Sequence, residues 1–167
     1  MPRMPLVAGL IALIAAVAAG PASAQTKAQP KAPVQTLALE AVSVHLFLEE
    51  SGTLSADASG TPGISGANMR AQLPGDKSEP FHNFLVKVVL TSKGEAFARG
   101  RQATVSIVDV KSKRVIETHG ISDVYVGSGG RTVKAIWVRD RVCQALEVRV
   151  TAGPKTITRK LEFHCGE

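Results

Sequence analysis

The sequence of 167 residues predicts an all-β fold. Most of the chain after about residue 39 alternates apolar and polar side chains with a period of two, which is typical of strands that bury one face. Short turn sequences separate these segments. No helical pattern longer than two turns lies between them, so the crossovers that a parallel sheet needs are missing. We therefore predict an antiparallel protein of seven or eight strands.

The first 24 residues have the pattern of a secretory signal peptide. Arg3 precedes an apolar run from Leu6 to Ala19, and Ala22-Ser23-Ala24 is a small-x-small sequence of the kind that signal peptidases accept. The apolar run is shorter than the ~18 to 20 residues of a membrane-spanning helix, and no later stretch comes close. We expect a mature chain that starts at Gln25, lacks a transmembrane segment, and is periplasmic or secreted.

The mature chain is expected to form a flexible tail and a single domain. Residues 25–38 mix Lys, Gln, Ala and Pro without apolar periodicity, as linkers do. Residues 39–167 form the predicted β-sandwich domain. Within it, residues 51–80 contain five Gly, five Ser and three Pro, which predicts a long loop, with a possible short helix over residues 67–73. Such a loop is either disordered or a binding element.

The alternation assigns an expected inner face to five strands. The expected core residues are Val42, Val44, Leu46 and Leu48; Phe84, Val86, Val88 and Leu90; Ala103, Val105 and Ile107; Val133, Ala135 and Trp137; and Leu146, Val148 and Val150. Segments near 113–118, 121–126 and 156–165 complete the set. Phe47 is expected to point outward beside His45, either under a covering loop or as part of a contact patch.

The connections favour a β-sandwich of immunoglobulin-like type. The sequences KSK at 111–113, GSGG at 127–130 and AGPK at 152–155 are short turn signals between strand patterns. In a true immunoglobulin domain the tryptophan lies between the two cysteines in sequence. Here Trp137 precedes both cysteines, so the prediction covers the architecture and not the family.

Cys143 and Cys165 are the only cysteines, and in an exported protein an even count indicates a disulfide. A turn at Gly153-Pro154 pairs residues whose numbers sum to 307. A β-bulge between Glu162 and His164 would then bring the cysteines level. Such a crosslink contributes roughly 3 kcal/mol in the loop-entropy description. A redox pair or a metal site is the alternative, but the Cys-x-x-Cys and ligand spacings that favour these are missing.

Local catalytic signatures are missing as well. The chain has no Gly-x-Ser-x-Gly, Ser-x-x-Lys or His-Glu-x-x-His sequence. The glycines of GSGGR at 127–131 precede a strand pattern and not a helix, which favours a turn over a phosphate loop. We predict no catalytic residue, no cofactor and no metal. The alternative is a small periplasmic enzyme or metal carrier that uses His45, His82, His119 or His164.

The net charge of +6 points to acidic partners. Residues 99–167 carry 13 basic and 7 acidic side chains, whereas residues 25–98 carry 6 and 7. A basic surface attracts an acidic protein or an anionic envelope component, although solvated strand faces give the same pattern. Export and the scarcity of aromatic side chains for exposed stacking platforms argue against nucleic-acid binding.

These observations together predict an exported, non-catalytic binding or assembly module of the bacterial cell envelope. Binding by strand addition to an exposed sheet edge is the expected mode. The candidate binding residues are Met69 and Arg70 in the long loop and Arg139, Arg141, Arg149 and Arg159 along the basic strand edges. A component that assembles with copies of itself is a further alternative.

Overall fold

The computed structural model describes residues 36–61, 64–66, 70–71, 79–140 and 144–165. All of them belong to one compact unit, Pro33–Glu167. These residues form strands and their connections, and no helix occurs in the described ranges. They accordingly include no helix long and apolar enough to cross a membrane.

Twelve strands occur in the described residues. They are β1 (Ala38–Leu48), β2 (Thr53–Asp57), β3 (Ile64–Gly66), β4 (Arg70–Ala71), β5 (Glu79–Pro80), β6 (Phe84–Thr91), β7 (Ala96–Asp109), β8 (Val115–Val126), β9 (Arg131–Val138), β10 (Leu146–Ala152), β11 (Lys155–Leu161) and β12 (Phe163–Cys165). The first sheet has the order β2-β1-β6-β9, and the second has the order β11-β10-β7-β8. All neighbours in both sheets are antiparallel. Two short pairs, β12 with β3 and β4 with β5, complete the fold.

The core is built from the inner faces of both sheets, which is consistent with a β-sandwich. The alternation predicted for β1, β6, β7 and β10 is confirmed, since their expected core residues are all at most 4% exposed. These residues join one continuous hydrophobic cluster, to which Phe81, Ile121, Leu161 and Phe163 also belong. Burial of this apolar surface is the main driving force for folding.

The hairpin of β10 and β11 has the predicted register. Leu146 lies opposite Leu161, Glu147 opposite Lys160, and every further pair also sums to 307. Gly153 in the turn has φ of 54°, a conformation that glycine adopts without a Cβ clash. After Leu161 the chain continues as β12, which pairs in parallel with β3, a pairing that the sequence did not suggest.

The inner face of β9 differs from the prediction. Val133, Ala135 and Trp137 were expected in the core, but Val138 is buried and Val133 is 44% exposed. The register with β6 explains this, because Val138 lies opposite the buried Phe84 and so shares its face. The segment RTVKAIWV has apolar residues on both faces, so alternation alone cannot decide between them.

The segment 51–80, predicted as one long loop, contains the four short strands β2 to β5. Arg70 and Ala71 form strand β4, where the sequence suggested part of a helix. Apolar periodicity misses β2 because the buried residue of this strand is a serine, Ser55. Its hydroxyl oxygen accepts a hydrogen bond from the amide of Leu46 at 2.9 Å, so a polar contact replaces an apolar one.

Candidate functional site

Several residues of the predicted site fall in parts of the chain that the structure leaves undescribed. Met69, Arg141 and Cys143 lie outside the described residues. Arg70 and Cys165 are described only as backbone, in β4 and β12. The disulfide between Cys143 and Cys165 therefore stays a prediction.

The remaining three candidate arginines lie on different parts of the sandwich. Arg149 is exposed on β10 and forms an ion pair with Glu147, with 3.1 Å between nitrogen and oxygen. Arg159 lies on the core-facing side of β11, and its Nε donates a hydrogen bond to the carbonyl of Val42 at 2.9 Å. Arg139 is exposed after the end of β9 in the other sheet. Arg159 thus ties the two sheets together, and the three side chains do not share one strand pair.

Three histidines have described side chains, and each belongs to a separate element. His45 is in β1, His82 precedes β6, and His119 is in β8. His82 contacts Glu49 at 2.6 Å and His119 contacts Glu117 at 2.5 Å. The part of the chain that the structure describes holds no group of three or more His, Cys, Asp or Glu side chains placed to bind a metal ion.

The outer side of the first sheet carries many apolar side chains. We call this surface the apolar face; it consists of Phe47, Leu54, Leu85, Val133, Ala135 and Trp137. The register places Phe47 opposite Leu54, and Leu85 opposite Trp137. Leu54 and Val133, on the two edge strands, are 45% and 44% exposed. Apolar residues thus cross the whole sheet on the side away from the core.

An aromatic pair lies within the apolar face. The rings of Phe47 and Trp137 meet edge to face with their centroids 5.3 Å apart, a favourable geometry for aromatic side chains. The outward direction of Phe47 agrees with the sequence prediction. Its contact with Trp137 was missed, because Trp137 was assigned to the core. The sequence feature that could have indicated this contact is the presence of apolar residues on both faces of β9.

A second pair of exposed aromatic residues lies on the other sheet. Phe97 and Tyr125 are opposite each other on β7 and β8, and they are 53% and 55% exposed. The Arg99 guanidinium carbon is 5.9 Å from the centroid of the Phe97 ring. The Tyr125 hydroxyl donates to Glu95 at 2.8 Å, and this hydrogen bond raises the pKa of Tyr125. Exposed aromatic side chains are thus more numerous than the sequence suggested.

Three of the four edge strands of the two main sheets carry charged or titratable side chains on their core-facing side. Lys134 of β9 lies opposite the buried Val88, and Arg159 of β11 lies opposite the buried Val148. His119 of β8 lies opposite the buried Val105. Inward-facing charges at an edge oppose the addition of a further strand, because the new strand would cover them. These edges are therefore poor templates for pairing.

A hydrogen-bonded chain of polar groups borders the apolar face. The Ser43 hydroxyl and Nε2 of His45 are 2.9 Å apart, and Nδ1 of His45 is 2.8 Å from the carbonyl oxygen of Ser55. A carbonyl oxygen can only accept a hydrogen bond, so Nδ1 carries the proton. In the neutral imidazole Nε2 is then an acceptor, and the Ser43 hydroxyl donates to it. The backbone of β2 thus sets the tautomer of His45.

Asp57 lies beside this chain, opposite His45 in the register of β1 and β2. Its Oδ1 accepts hydrogen bonds from the amides of Val44 at 2.9 Å and Ser59 at 3.0 Å. Partial burial acts to raise the pKa of Asp57, but these hydrogen bonds and the nearby His45 together lower it below its usual value. Asp57 therefore carries a negative charge next to the imidazole.

Asp57 also lines a cleft of about 520 Å³. Its lining residues are Asp57, Ser59, Gly60, Thr158, Arg159 and Lys160. Two of these residues are joined by a backbone hydrogen bond, from the Gly60 amide to the Lys160 carbonyl at 3.2 Å. The cleft faces solvent and carries both signs of charge, so it does not single out one class of ligand.

Comparison with known proteins gives no relative from which residues could be transferred. The chain matches no protein-family model and no curated protein sequence.

Proposed function

We propose that this chain is an exported, non-catalytic binding or assembly module of the bacterial cell envelope, and that it binds a protein partner on the apolar face. The observation that carries this proposal is the set of apolar side chains across the outer side of the first sheet. Large contiguous apolar patches are uncommon on soluble proteins and often mark interaction sites. Aromatic residues such as Phe47 and Trp137 are enriched in such interfaces.

Three of the four sheet edges favour face-to-face docking over strand addition. A partner strand beside β9 would have to cover Lys134, and one beside β11 would have to cover Arg159. Burying an unpaired charge is costly. Docking on the outer side of the first sheet avoids this cost, because the core-facing charges stay where they are.

The chemistry of the partner follows from the charge within the apolar face. Lys87 lies opposite Ser43 on one side and Ala135 on the other, so it sits in the middle of this surface. In the described part of the chain no carboxylate forms an ion pair with it. A partner that surrounds one carboxylate with apolar side chains would complement this arrangement. Removal of residues 1–24 with Arg3 leaves 19 basic and 14 acidic side chains, and this net charge of +5 would also speed the approach of an acidic partner.

The proposal includes export by the signal peptide, a Cys143–Cys165 disulfide and an immunoglobulin-like type of sandwich. The signal peptide is supported by the apolar run and the small-x-small sequence near residue 24. The even cysteine count supports the disulfide. Two antiparallel sheets of four strands, with connections that cross between them, support the immunoglobulin-like type.

Site-specific photocrosslinking tests the proposed binding surface. A photoreactive residue in place of Val133 samples the apolar face. The same residue in place of the exposed Thr151 samples the outer side of the second sheet. In the exported full-length protein, we expect a defined crosslinked partner from position 133 and none from position 151. Lys87→Glu should lower the yield at position 133 at least several-fold, because it places like charges across the interface.

The control for the charge reversal is Lys93→Glu, which changes an exposed lysine in the connection between β6 and β7. This variant should leave the yield at position 133 unchanged. Equal crosslinking from positions 133 and 151, or equal loss with both lysine variants, would contradict the proposal. A crosslinked species with twice the mass of the chain would identify the partner as a second copy.

A further inference from the structure

We infer that Ser43 is a nucleophilic hydroxyl that accepts an acyl group from an activated ester, with His45 as its general base and Lys87 beside the reacting carbonyl. The reaction is a single acylation of the protein and not a turnover. A covalent adduct at Ser43 is therefore compatible with a binding module, and this inference does not depend on the identity of the protein partner.

The hydrogen-bonded chain supplies the parts that an activated serine needs. Such a serine requires a base within hydrogen-bond reach and a third group that orients this base. His45 accepts from Ser43 at 2.9 Å, and the carbonyl of Ser55 holds the other ring nitrogen at 2.8 Å. The direction of the first hydrogen bond follows from the second, because the carbonyl requires the proton on Nδ1. The imidazole is thus set in the tautomer that removes a proton from Ser43.

The orienting group is rigidly placed. Ser55 is 5% exposed, and its hydroxyl accepts from the amide of Leu46 at 2.9 Å and donates to the carbonyl of Ala56 at 2.7 Å. Asp57, two residues after Ser55 on β2, bears a negative charge and lies opposite His45. This carboxylate thus faces the ring to which the proton of Ser43 passes.

Lys87 supplies positive charge on the same side of the sheet. It lies directly opposite Ser43 across β1 and β6, where Cβ atoms of facing residues are about 4.5 to 5.5 Å apart. An ammonium group at this position can approach the oxygen that becomes negative when Ser43 attacks a carbonyl. Leu85 lies opposite His45, two residues before Lys87 on β6, and Ala135 lies opposite Lys87 on β9. These apolar side chains offer a surface for the acyl chain.

The reaction transfers the acyl group from the ester oxygen to the hydroxyl oxygen of Ser43. Ser43 Oγ forms a bond to the acyl carbon of the ester while its proton passes to Nε2 of His45. The resulting oxyanion collapses, the bond to the alkoxide leaving group breaks, and the imidazolium returns its proton to the leaving oxygen. The products are an acyl ester on Ser43 and a free alcohol. The alternative is a hydrogen bond that only stiffens the sheet surface, and it predicts no special reactivity at Ser43.

The experiment treats the folded full-length protein with p-nitrophenyl acetate and follows nitrophenolate release together with the intact mass. We expect one acetyl group per chain, located on Ser43 by peptide mapping, and none on Ser43→Ala. His45→Gln should slow the acetylation of Ser43 roughly 100-fold or more, the usual size of a general-base contribution. Ser106→Ala is the matched control: Ser106 is a half-buried strand serine on the outer side of the second sheet, and its removal should change nothing.

A second measurement separates reactivity from folding. Nitrogen NMR of the His45 ring in the unmodified protein should show a proton on Nδ1 and none on Nε2 in the neutral form, and circular dichroism should show that His45→Gln remains folded. Acetylation of Ser43 at the rate of other exposed serines overturns the inference. So does an equal rate in folded His45→Gln, or a proton on Nε2.

Discussion

The outer sides of the two sheets differ in composition although both sheets contribute to the same core, and the exposed aromatic residues of the second sheet, Phe97 and Tyr125, lie near one end of β7 and β8. The first sheet presents the apolar face, including Phe47 and Trp137. Over β10, β11 and the middle of β7, the second sheet presents the polar residues Thr104, Ser106, Glu147, Arg149, Thr151, Thr156, Thr158 and Lys160. Folding requires each sheet to bury one side only. In our proposal, binding of a partner explains why the other side of the first sheet is apolar as well.

The largest expected effects on stability come from substitutions in the core, which test whether the two sheets contribute equally to it. Leu46 in β1 and Leu146 in β10 are both fully buried. We expect Leu46→Ala and Leu146→Ala each to lower the free energy of unfolding by about 2 to 5 kcal/mol, because each removes buried methyl groups and leaves a cavity. Urea unfolding followed by circular dichroism measures both. A much smaller cost in one sheet would show that the sheets differ inside as well as outside.

A smaller effect is expected on the outer sides. Trp137→Ala removes the edge-to-face contact with Phe47, and such a pair contributes about 0.5 to 1.5 kcal/mol. Thr151→Ala on the second sheet removes a hydroxyl contact to Thr156 of 2.9 Å, for which we expect about 0.5 kcal/mol or less. The same unfolding measurement applies. A loss with Trp137→Ala as large as that with Leu46→Ala would make the apolar face part of the core, against our interpretation.

The smallest expected effect concerns acid stability. The lowered pKa of Asp57 means that this group adds stability above its unfolded pKa of about 3.8, and that the contribution is lost as the pH falls through the lower folded pKa. Asp57→Asn should therefore make the decline in stability below this pH shallower. The pKa of Asp109 is also lowered, mainly by hydrogen bonding to the Ser112 amide in an exposed turn. Asp109→Asn is the control in the second sheet.

Acid titration of thermal unfolding distinguishes the two aspartates. Asp57 accepts a hydrogen bond from the amide of Val44 within a strand, whereas Asp109 accepts one from the amide of Ser112 in an exposed turn. The change in acid stability should therefore be larger for Asp57→Asn. If the unfolding temperature of Asp57→Asn falls with pH as steeply as that of the unmodified protein, the hydrogen bonds of Asp57 do not hold β2 against β1.

The sequence predicts the β10–β11 hairpin down to its register. Gly153 and Pro154 allow a tight turn, and the resulting pairing places Glu147 opposite Lys160, so turn geometry and charge agree. The alternation in β1 and β6 is equally informative. The inner residues of both strands are apolar, and most of the outer residues of β1 are polar. Agreement between local signals makes such segments predictable.

The candidate site is harder to predict, because it depends on residues that break these patterns. Trp137 is apolar on the outer side of its strand, and so it resembles a core residue. Ser55 is polar on the inner side of β2, and so its strand resembles a loop. Ser43 and His45 are visible as outward neighbours, but their alignment with the Ser55 carbonyl comes from a pairing between β1 and β2 that the sequence does not indicate.

The core-facing charges on the edge strands have a consequence for the behaviour of the protein at high concentration. Fibrils grow when an unpaired edge accepts an identical strand from another molecule. Here such growth would strip water from Lys134, His119 or Arg159 at each added copy, and this cost repeats along the fibril. These three edges therefore oppose polymerisation by strand addition at any concentration.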